Sequence, residues 1–263
     1  MNALFLGYGK MGSALGESWY AGGLVERLVA VDPGLPRGMS AEVVGSAADL
    51  VDEAFDVIVL AVKPAVARQA IASLPTRALS RAVLISVMAG VSCAQLCDAA
   101  GKDVPVVRAM PNTPVMVNQG CTGLYSVTLN DAAKRRQVKS LFDAVGVAVW
   151  LEREGLLDAV TAISGSGPAY YHLFSEALCN AGIELGLPAE LARVLAAHTA
   201  RGAAELQCKS DVSFVALREA VTSANGTTAA AIAQFEAQDQ LRRLVNAAAQ
   251  AAHDRSIELS RQG

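Results

Sequence analysis

Gly7, Gly9 and Gly12 stand at G-x-G-x-x-G spacing in the opening stretch MNALFLGYGKMG. That spacing suits a tight turn that receives a dinucleotide pyrophosphate. The first glycine allows the turn, the second lets main chain approach the anion, and the third lets the following helix pack close to its strand. The anion then rests on unpaired N–H groups at the positive end of the helix. Gly7, Tyr8, Gly9, Lys10, Met11 and Gly12 are therefore candidate cofactor contacts. Three glycines so close together also make a plain loop, so context has to decide. Asp32 supplies it. About twenty residues after Gly12, at the end of the apolar run Leu28 to Val31, a carboxylate can accept hydrogen bonds from an adenosine ribose. A carboxylate there favours a free 2′-hydroxyl and repels a 2′-phosphate, whereas Arg37 nearby would bind that phosphate and reverse the preference.

A second stretch able to do chemistry is Thr222-Ser223-Ala224-Asn225-Gly226-Thr227-Thr228, running into Ala229-Ala230-Ala231-Ile232. An ordinary helix N-cap needs one hydroxyl, and here four surround a helix start. Free N–H groups, the helix dipole and neutral hydroxyl donors make a cradle for a carboxylate without any Arg or Lys. Ser223, Asn225, Gly226, Thr227 and Thr228 are the candidate substrate contacts. Ser164-Gly165-Ser166-Gly167-Pro168 precedes another helix, with Ser166 or Gly167 as its cap and Pro168 in its first turn.

These residues need a frame. Apolar runs Asn2 to Leu6, Leu28 to Val31, Val57 to Val62, Val83 to Val87 and Val104 to Arg108 read as strands, with Val43–Val44, Gly120 to Val127 and Val147 to Leu151 as shorter additions. Between them Ser13 to Tyr20, Ala65 to Ser73, a segment capped by Ser92 and running to Ala99, and Asp131 to Val145 read as helices. Strands alternating with helices imply an α/β fold with a mainly parallel, doubly wound sheet. Ligands of such sheets lie beyond the carboxyl ends of the strands. Three loops fall there: Ala61-Val62-Lys63-Pro64, Met88-Ala89-Gly90 and Met110-Pro111-Asn112-Thr113-Pro114. The paired prolines of the last hold one shape, suited to positioning a flat nicotinamide ring. Plain strand termination explains either proline loop equally well.

From Gly155 the character changes. Ala-rich helical segments follow at Ala169 to Leu185, Pro188 to Gln207, Phe214 to Thr222, Thr228 to Phe235 and Gln238 to Arg261. The boundary falls near Glu152 to Gly155, giving a dinucleotide-binding domain over 1–153 and a helical substrate and dimerisation domain over 154–263. A single layer of small-residue helices has few anchors for its own core, so it is expected to pack against a second copy about a two-fold axis.

Composition narrows the function classes. The chain has 263 residues, 52% of them apolar, and a net charge of −3 with no basic face, which argues against nucleic acid. The longest uncharged candidate for a span, Ala82 to Cys97, is broken by Ser86, Ser92 and Gln95, so no membrane segment is expected. Five cysteines form no C-x-x-C, and His172, His198 and His253 show no ligand spacing, so no metal site is expected. Cys93 and Cys97 read as small core residues. Unpaired thiols and the absence of a secretory leader point to the cytoplasm.

Together, Gly7-x-Gly9-x-Met11-Gly12, Ala61-Val62-Lys63-Pro64, Arg108-x-Met110-Pro111-Asn112-Thr113-Pro114, Ser164-Gly165-Ser166-Gly167-Pro168-Ala169-Tyr170 and Val221-Thr222-Ser223-x-x-Gly226-Thr227-Thr228 resemble the pyrroline-5-carboxylate reductase family. The motifs keep the family's order over nearly the whole chain. The resemblance implies reduction of 1-pyrroline-5-carboxylate to proline by NADPH or NADH, the last step of proline biosynthesis. It implies a Rossmann-like N-terminal domain and an all-α C-terminal domain that pairs a homodimer, with dimers in the family commonly assembling into decamers. It places Ala61, Val62, Lys63, Pro64, Met110, Pro111, Asn112 and Thr113 beside the cofactor. It makes Thr228 the residue that hydrogen-bonds the imine nitrogen, and rests the substrate carboxylate on Ser223 and the Gly226–Thr227 main chain. Lys63 is the rival proton source.

The family usually reads T-S-P-G-G-T-T, where this chain has Ala224 and Asn225. Asn tolerates a left-handed backbone better than other non-glycine residues, so Asn225 is expected to keep the turn. Losing the proline loosens the loop entropically. Two rivals stay open. One is a related two-domain imine or 2-hydroxyacid reductase; the hydroxyacid type depends on a second-domain lysine, and Lys209 is the only lysine after Lys139. The other is a nucleotide-sensing protein that has lost catalysis, which the altered 224–225 pair would suit.

Overall fold

A computed structural model describes the chain except Pro33, Leu35 to Gly38, Lys102, Ser210, Gly263 and the side chain of Gln262. Eight strands form one sheet: β1 (Asn2–Leu6), β2 (Arg27–Val31), β3 (Glu42–Val44), β4 (Val57–Leu60), β5 (Val83–Ser86), β6 (Val106–Met110), β7 (Gly120–Tyr125) and β8 (Gly146–Trp150). Their order is β3-β2-β1-β4-β5-β6-β7-β8, and every neighbouring pair is parallel except β6 with β7. The helices around it are α1 (Lys10–Ala21), α2 (Ala67–Ala72), α3 (Thr76–Leu79), α4 (Cys93–Ala100) and α5 (Ala132–Asp143).

β4 and β5 are buried at every position, which is why their sequences read as unbroken apolar runs rather than alternating ones. Successive side chains serve opposite faces. Ala3, Phe5, Ala30, Val57, Val59 and Ile85 join a core with Leu15 and Trp19 of α1 and Leu141 and Phe142 of α5. Leu4, Leu6, Val29, Ile58, Leu60 and Leu84 join another with Ile71 of α2 and Leu96 of α4. Helices therefore cover both faces, as a doubly wound sheet requires.

Caps fix the helix starts. Ser92 Oγ accepts from Gln95 N at 3.2 Å while Gln95 Oε1 accepts from Ser92 N at 2.7 Å, a reciprocal box at the head of α4. Asp131 Oδ1 accepts from Ala133 N at 2.7 Å and Lys134 N at 3.2 Å at the head of α5. β6 begins at Val106, two residues later than the apolar run suggests. Pro105 has no N–H to give to a ladder, though its carbonyl still accepts from Leu84 N at 2.9 Å. The Ala65 to Ser73 segment opens as a 3-10 turn over Pro64–Val66 before α2, with Pro64 at the first helical position.

The Ser164 to Pro168 stretch is helical, not a loop. α6 (Leu156–Val160) passes into a π-helical turn over Thr161–Gly165, closed by Ser166 N donating to Thr161 O at 2.8 Å. Gly167 begins α7 (Gly167–Glu184). It is followed by α8 (Ala189–Lys209), α9 (Phe214–Ala220), α10 (Thr227–Glu236) and α11 (Gln240–Gln262).

The chain divides into two compact units. One is Met1–Ser166 together with the end of α11 from Ala252 onward, and the other is Gly167–Ala251. The second unit has little core of its own. In α7 and α8 only Gly167, Ala192 and Ala196 are buried, and α9 and α10 bury nothing. Leu185 is 86% exposed and Phe214 72%. Small residues do bring its helices close: a Cβ on Gly182 of α7 would lie 3.3 Å from Ala192 Cβ of α8. An open apolar cavity of about 220 Å³ lies along this pair, lined by Leu178, Leu185, Leu187 and Leu195 among others. Among the described residues no helix is long and apolar enough to cross a membrane.

Candidate active site

The glycine turn joins β1 to α1, and each of its glycines meets a different demand. Gly7 has φ +85°, and a Cβ there would lie 2.6 Å from Ala61 O and 2.9 Å from Val62 Cγ1. The turn can pass the loop after β4 only without a side chain. Gly12 is buried, with a Cβ only 2.6 Å from Gly7 O and 3.3 Å from Ala61 Cβ. That is the close approach of helix to strand. At Gly9 a Cβ would meet nothing within 4 Å, so protein packing does not explain this glycine. Gly9 is the N-cap of α1 and offers no side-chain acceptor, which leaves the first-turn N–H groups for an anion. These residues fit a dinucleotide pyrophosphate.

Lys10 is exposed and Met11 half-buried, whereas Tyr8 turns inward. Its ring is 2% exposed and stands edge-on to Phe5 at 5.3 Å, so Tyr8 can face a ligand only through its main chain. Asp32 stands at the end of β2 against the same turn. Its Oδ2 accepts from Tyr8 N at 2.7 Å and its Oδ1 from Gly34 N at 2.8 Å. A carboxylate oxygen has a second lone pair, so these bonds leave room for a ribose hydroxyl. Arg37 lies outside the described residues.

Ala61 and Val62 border Gly7, and Lys63 and Pro64 follow, both exposed, at the head of the 3-10 turn. Met110, the last residue of β6, and Pro111 after it are buried, and Thr113, which begins a 3-10 turn over Thr113–Val117, is exposed. Asn112 is 8% exposed, and its amide is committed within the protein. Its Oδ1 accepts from Cys121 N at 2.8 Å, and its Nδ2 donates to Ser164 O at 2.9 Å. The second bond has a local cause. In α-helical register Ser164 O would accept from residue 168, which is a proline without an N–H. Asn112 supplies the missing donor, tying the proline loop to the π-helical turn. Met88-Ala89-Gly90 is used otherwise. Gly90 has φ +77°, and a Cβ there would lie 3.2 Å from the Leu259 carbonyl, so the loop receives the end of α11. Ser256 on that helix end donates from Oγ to Asp158 Oδ1 at 2.7 Å.

Sequence patterns did not single out the pair of Arg108 and Glu154. Arg108, on β6, is 7% exposed and donates from Nη1 to Glu154 Oε1 at 2.8 Å. The same oxygen accepts from Cys93 N at 2.7 Å, at the head of α4. Burial, with Glu154 adding, pushes the Cys93 thiol up to about 12, so this cysteine stays protonated and inert at neutral pH.

The hydroxyl-rich stretch belongs to the second unit. Asn225 has φ +61°, the left-handed conformation expected of it, and Gly226 N donates to Ser223 O at 3.1 Å to close the turn. A Cβ on Gly226, the N-cap of α10, would fall 2.5 Å from Ser223 Oγ and 3.1 Å from Ser223 O, so a side chain there would displace the Ser223 hydroxyl. No side chain caps α10, whose first residues are Thr227 and Thr228. The capping purpose that explains most hydroxyls at helix starts is thus absent, and the first-turn N–H groups of α10 are left without a side-chain acceptor. Thr222 is engaged locally, donating to Arg218 O at 2.6 Å. Lys209 pairs with Glu205 one turn earlier on exposed α8, and Cys93 and Cys97 lie on α4.

Comparisons with known proteins cover nearly the whole chain. Residues 154–259 match the family model described as pyrroline-5-carboxylate reductase dimerisation, and residues 3–90 the one described as NADP oxidoreductase, coenzyme F420-dependent. A pyrroline-5-carboxylate reductase of Pseudomonas aeruginosa is 42% identical over 265 residues, spanning 98% of this chain and 96% of its own. One from Arabidopsis thaliana is 36% identical over 264 residues, 97% and 94% of the two chains. Among solved structures, the Coxiella burnetii pyrroline-5-carboxylate reductase superposes with a TM-score of 0.90 at 34% identity, covering 98% of both chains. The Plasmodium falciparum pyrroline carboxylate reductase, solved with NADP bound, gives 0.87 at 30% identity, covering 99% of this chain and 98% of its own.

Proposed function

The chain belongs to the pyrroline-5-carboxylate reductase family, and on that footing we infer that it reduces 1-pyrroline-5-carboxylate to L-proline with NADPH or NADH. The observation that carries this best is Gly9, a glycine whose missing side chain leaves open space beside bare helix N–H groups. Reduced nicotinamide, when bound, supplies the hydride. The protein's own work is to hold the two ligands, orient the imine and see that its nitrogen is protonated, since an iminium accepts hydride more readily than a neutral imine.

The turn Gly7 to Gly12 takes the pyrophosphate. Asp32 takes the adenosine ribose, and the loops Ala61 to Pro64 and Met110 to Thr113 line the nicotinamide half. The Asn112 side chain shapes its loop rather than reaching outward, because Cys121 and Ser164 already engage it. At the head of α10, Ser223 and the Gly226–Thr227 main chain hold the substrate carboxylate, and Asn225 sets the turn. Thr228 Oγ1 hydrogen-bonds the imine nitrogen. A threonine hydroxyl is a poor acid, so it positions the nitrogen or relays a proton from water. The lone second-domain lysine, spent in a surface pair with Glu205, gives no support to a hydroxyacid dehydrogenase.

The protein is a homo-oligomer. The 154–263 region pairs it as a homodimer, a role that the exposed leucines and phenylalanines of α7 to α9 favour, and dimers assemble further towards decamers.

The direct test follows loss of reduced cofactor on addition of 1-pyrroline-5-carboxylate, with proline identified as product. Absence of substrate-dependent oxidation would refute the activity. In the same assay Thr228→Ala is expected to lower kcat about tenfold, the loss of one hydrogen bond to the reacting nitrogen at ~1.5 kcal/mol. Unchanged turnover would remove Thr228 from the mechanism. Asp32→Asn deletes a charge and keeps an acceptor. It is expected to raise the ratio of kcat/KM for NADPH over NADH about tenfold, by relieving repulsion of the 2′-phosphate. A constant ratio would show that Asp32 does not read that position.

A further inference from the structure

The connection from β2 to β3, residues 32–41, holds no helix among its described residues. Parallel neighbours are usually joined by a longer crossover with a helix that satisfies its own main chain. Here the described residues of the connection, 32, 34 and 39–41, borrow partners instead. Ala41 lies in the core with Leu28 and Ala30, and Met39 packs on the same cluster. Two carboxylates take the main-chain donors. Asp32 Oδ1 accepts from Gly34 N at 2.8 Å, and both oxygens of Glu17 on α1 accept from Ser40 N at 3.1 Å.

Tyr8 joins the two carboxylates. Its N donates to Asp32 Oδ2 at 2.7 Å, and its Oη donates to Glu17 Oε1 at 2.8 Å. Burial, reinforced by the bond to Glu17, drives the phenol's pKa far up, so Oη remains a donor. Gly16 makes room for the ring, since a Cβ there would lie 2.5 Å from Oη. One residue of the phosphate-binding turn thus holds both ends of the ribose-side connection, and Glu17 is the anchor at the far end.

We propose that Glu17 is a positioning residue for the dinucleotide: through Tyr8 Oη and Ser40 N it fixes the far end of the ribose-side connection, at Ser40, to the glycine turn before the cofactor arrives. This rests on the glycine turn and Asp32 being the cofactor site. An end already held in place need not be ordered at binding, so its anchor shows in affinity. The hydride leaves from the opposite end of the cofactor, so the anchor does not show in the chemical step.

The test compares wild type with Glu17→Ala and Glu17→Gln in the full-length oligomer. Fluorescence titration gives the Kd for NADPH and NADH, steady-state kinetics give kcat and both KM values, and thermal melts are run with and without dinucleotide. Glu17→Ala is expected to raise Kd and KM for the dinucleotide by about threefold to tenfold, from the loss of preorganisation. Its kcat and its KM for 1-pyrroline-5-carboxylate stay within about twofold, because the substrate end is untouched. Glu17→Gln keeps an acceptor and restores part of the affinity. The gain in Tm on adding dinucleotide shrinks in Glu17→Ala. A brace serving stability alone would lower the melts with and without dinucleotide equally and leave Kd unchanged, and that result would overturn the proposal. If Glu17→Ala does not fold, Tyr8→Phe decides on the same readout, with weakened dinucleotide binding expected and an unchanged Kd fatal. Failure of wild type to bind either dinucleotide is a separate result, which would overturn the cofactor site itself.

Discussion

Gly9→Ala is expected to fold as the wild type does and yet bind NADPH and NADH at least tenfold more weakly, whereas Gly7→Ala loses both binding and stability. The difference comes from what each new methyl group would meet. At Gly9 no protein atom lies within 4 Å of the added Cβ, so the free protein has nothing to rearrange. The space belongs to the ligand. A methyl there holds a phosphate off the first-turn N–H groups of α1, and an anion moved by even one carbon radius loses most of its charge-assisted bonds, worth ~1.5–3 kcal/mol each. At Gly7 the added Cβ would lie 2.6 Å from Ala61 O and 2.8 Å from Ala61 C. These are main-chain atoms and cannot swing aside. The positive φ of +85° adds left-handed strain of ~1–2 kcal/mol. Calorimetric titration and the ligand-free Tm, read together, check this. An unchanged dinucleotide Kd in Gly9→Ala would show that the open space is not the pyrophosphate site.

This contrast marks what sequence could reveal. Spacing gives each of the three glycines a purpose once the strand before them and Asp32 after them supply the context, because strand, turn and helix start are local. The unbroken runs of β4 and β5 announced burial on both faces for the same reason, and the caps at Ser92 and Asp131 are local patterns. Asn225 was legible too, since few residue types hold φ +61° where a glycine is expected. What escaped depends on partners distant along the chain. Asn112 reads as a ligand contact, and only its bonds to Cys121 N and to Ser164 O, 52 residues away, show a side chain occupied within the protein. The π-helical turn before Pro168 is invisible because its compensating donor is that same distant amide. Tyr8, in the middle of the fingerprint, faces the core only because Gly16 leaves a gap beneath it. The helical half illustrates the reverse case: alanine-rich composition foretold a region short of core, and the exposed Leu185 and Phe214 bear that out.

The same long-range logic makes Glu154 the most consequential charge to remove for stability. Glu154→Ala is expected to cost about 3 kcal/mol, the lower end of the range for breaking a buried ion pair from one side. The two partners are unequally placed. Arg108 has a side chain 8% exposed on a central strand, while the Glu154 side chain is 30% exposed. Removing Glu154 strands a guanidinium that cannot shed its charge, and leaves Cys93 N at the head of α4 without its acceptor. Removing Arg108 instead leaves a carboxylate that still accepts from Cys93 N and reaches water. Arg108→Met, close in volume and apolar, is therefore expected to cost only about 1 kcal/mol, and the double variant less than the sum of the singles. Denaturant midpoints at one fixed protein concentration measure the three, since assembly contributes to apparent stability. If Arg108→Met proves as damaging as Glu154→Ala, the unequal burial of the two groups does not govern the pair. The energy would then lie in the ion-pair contact itself rather than in the cost of a charge left alone in the sheet.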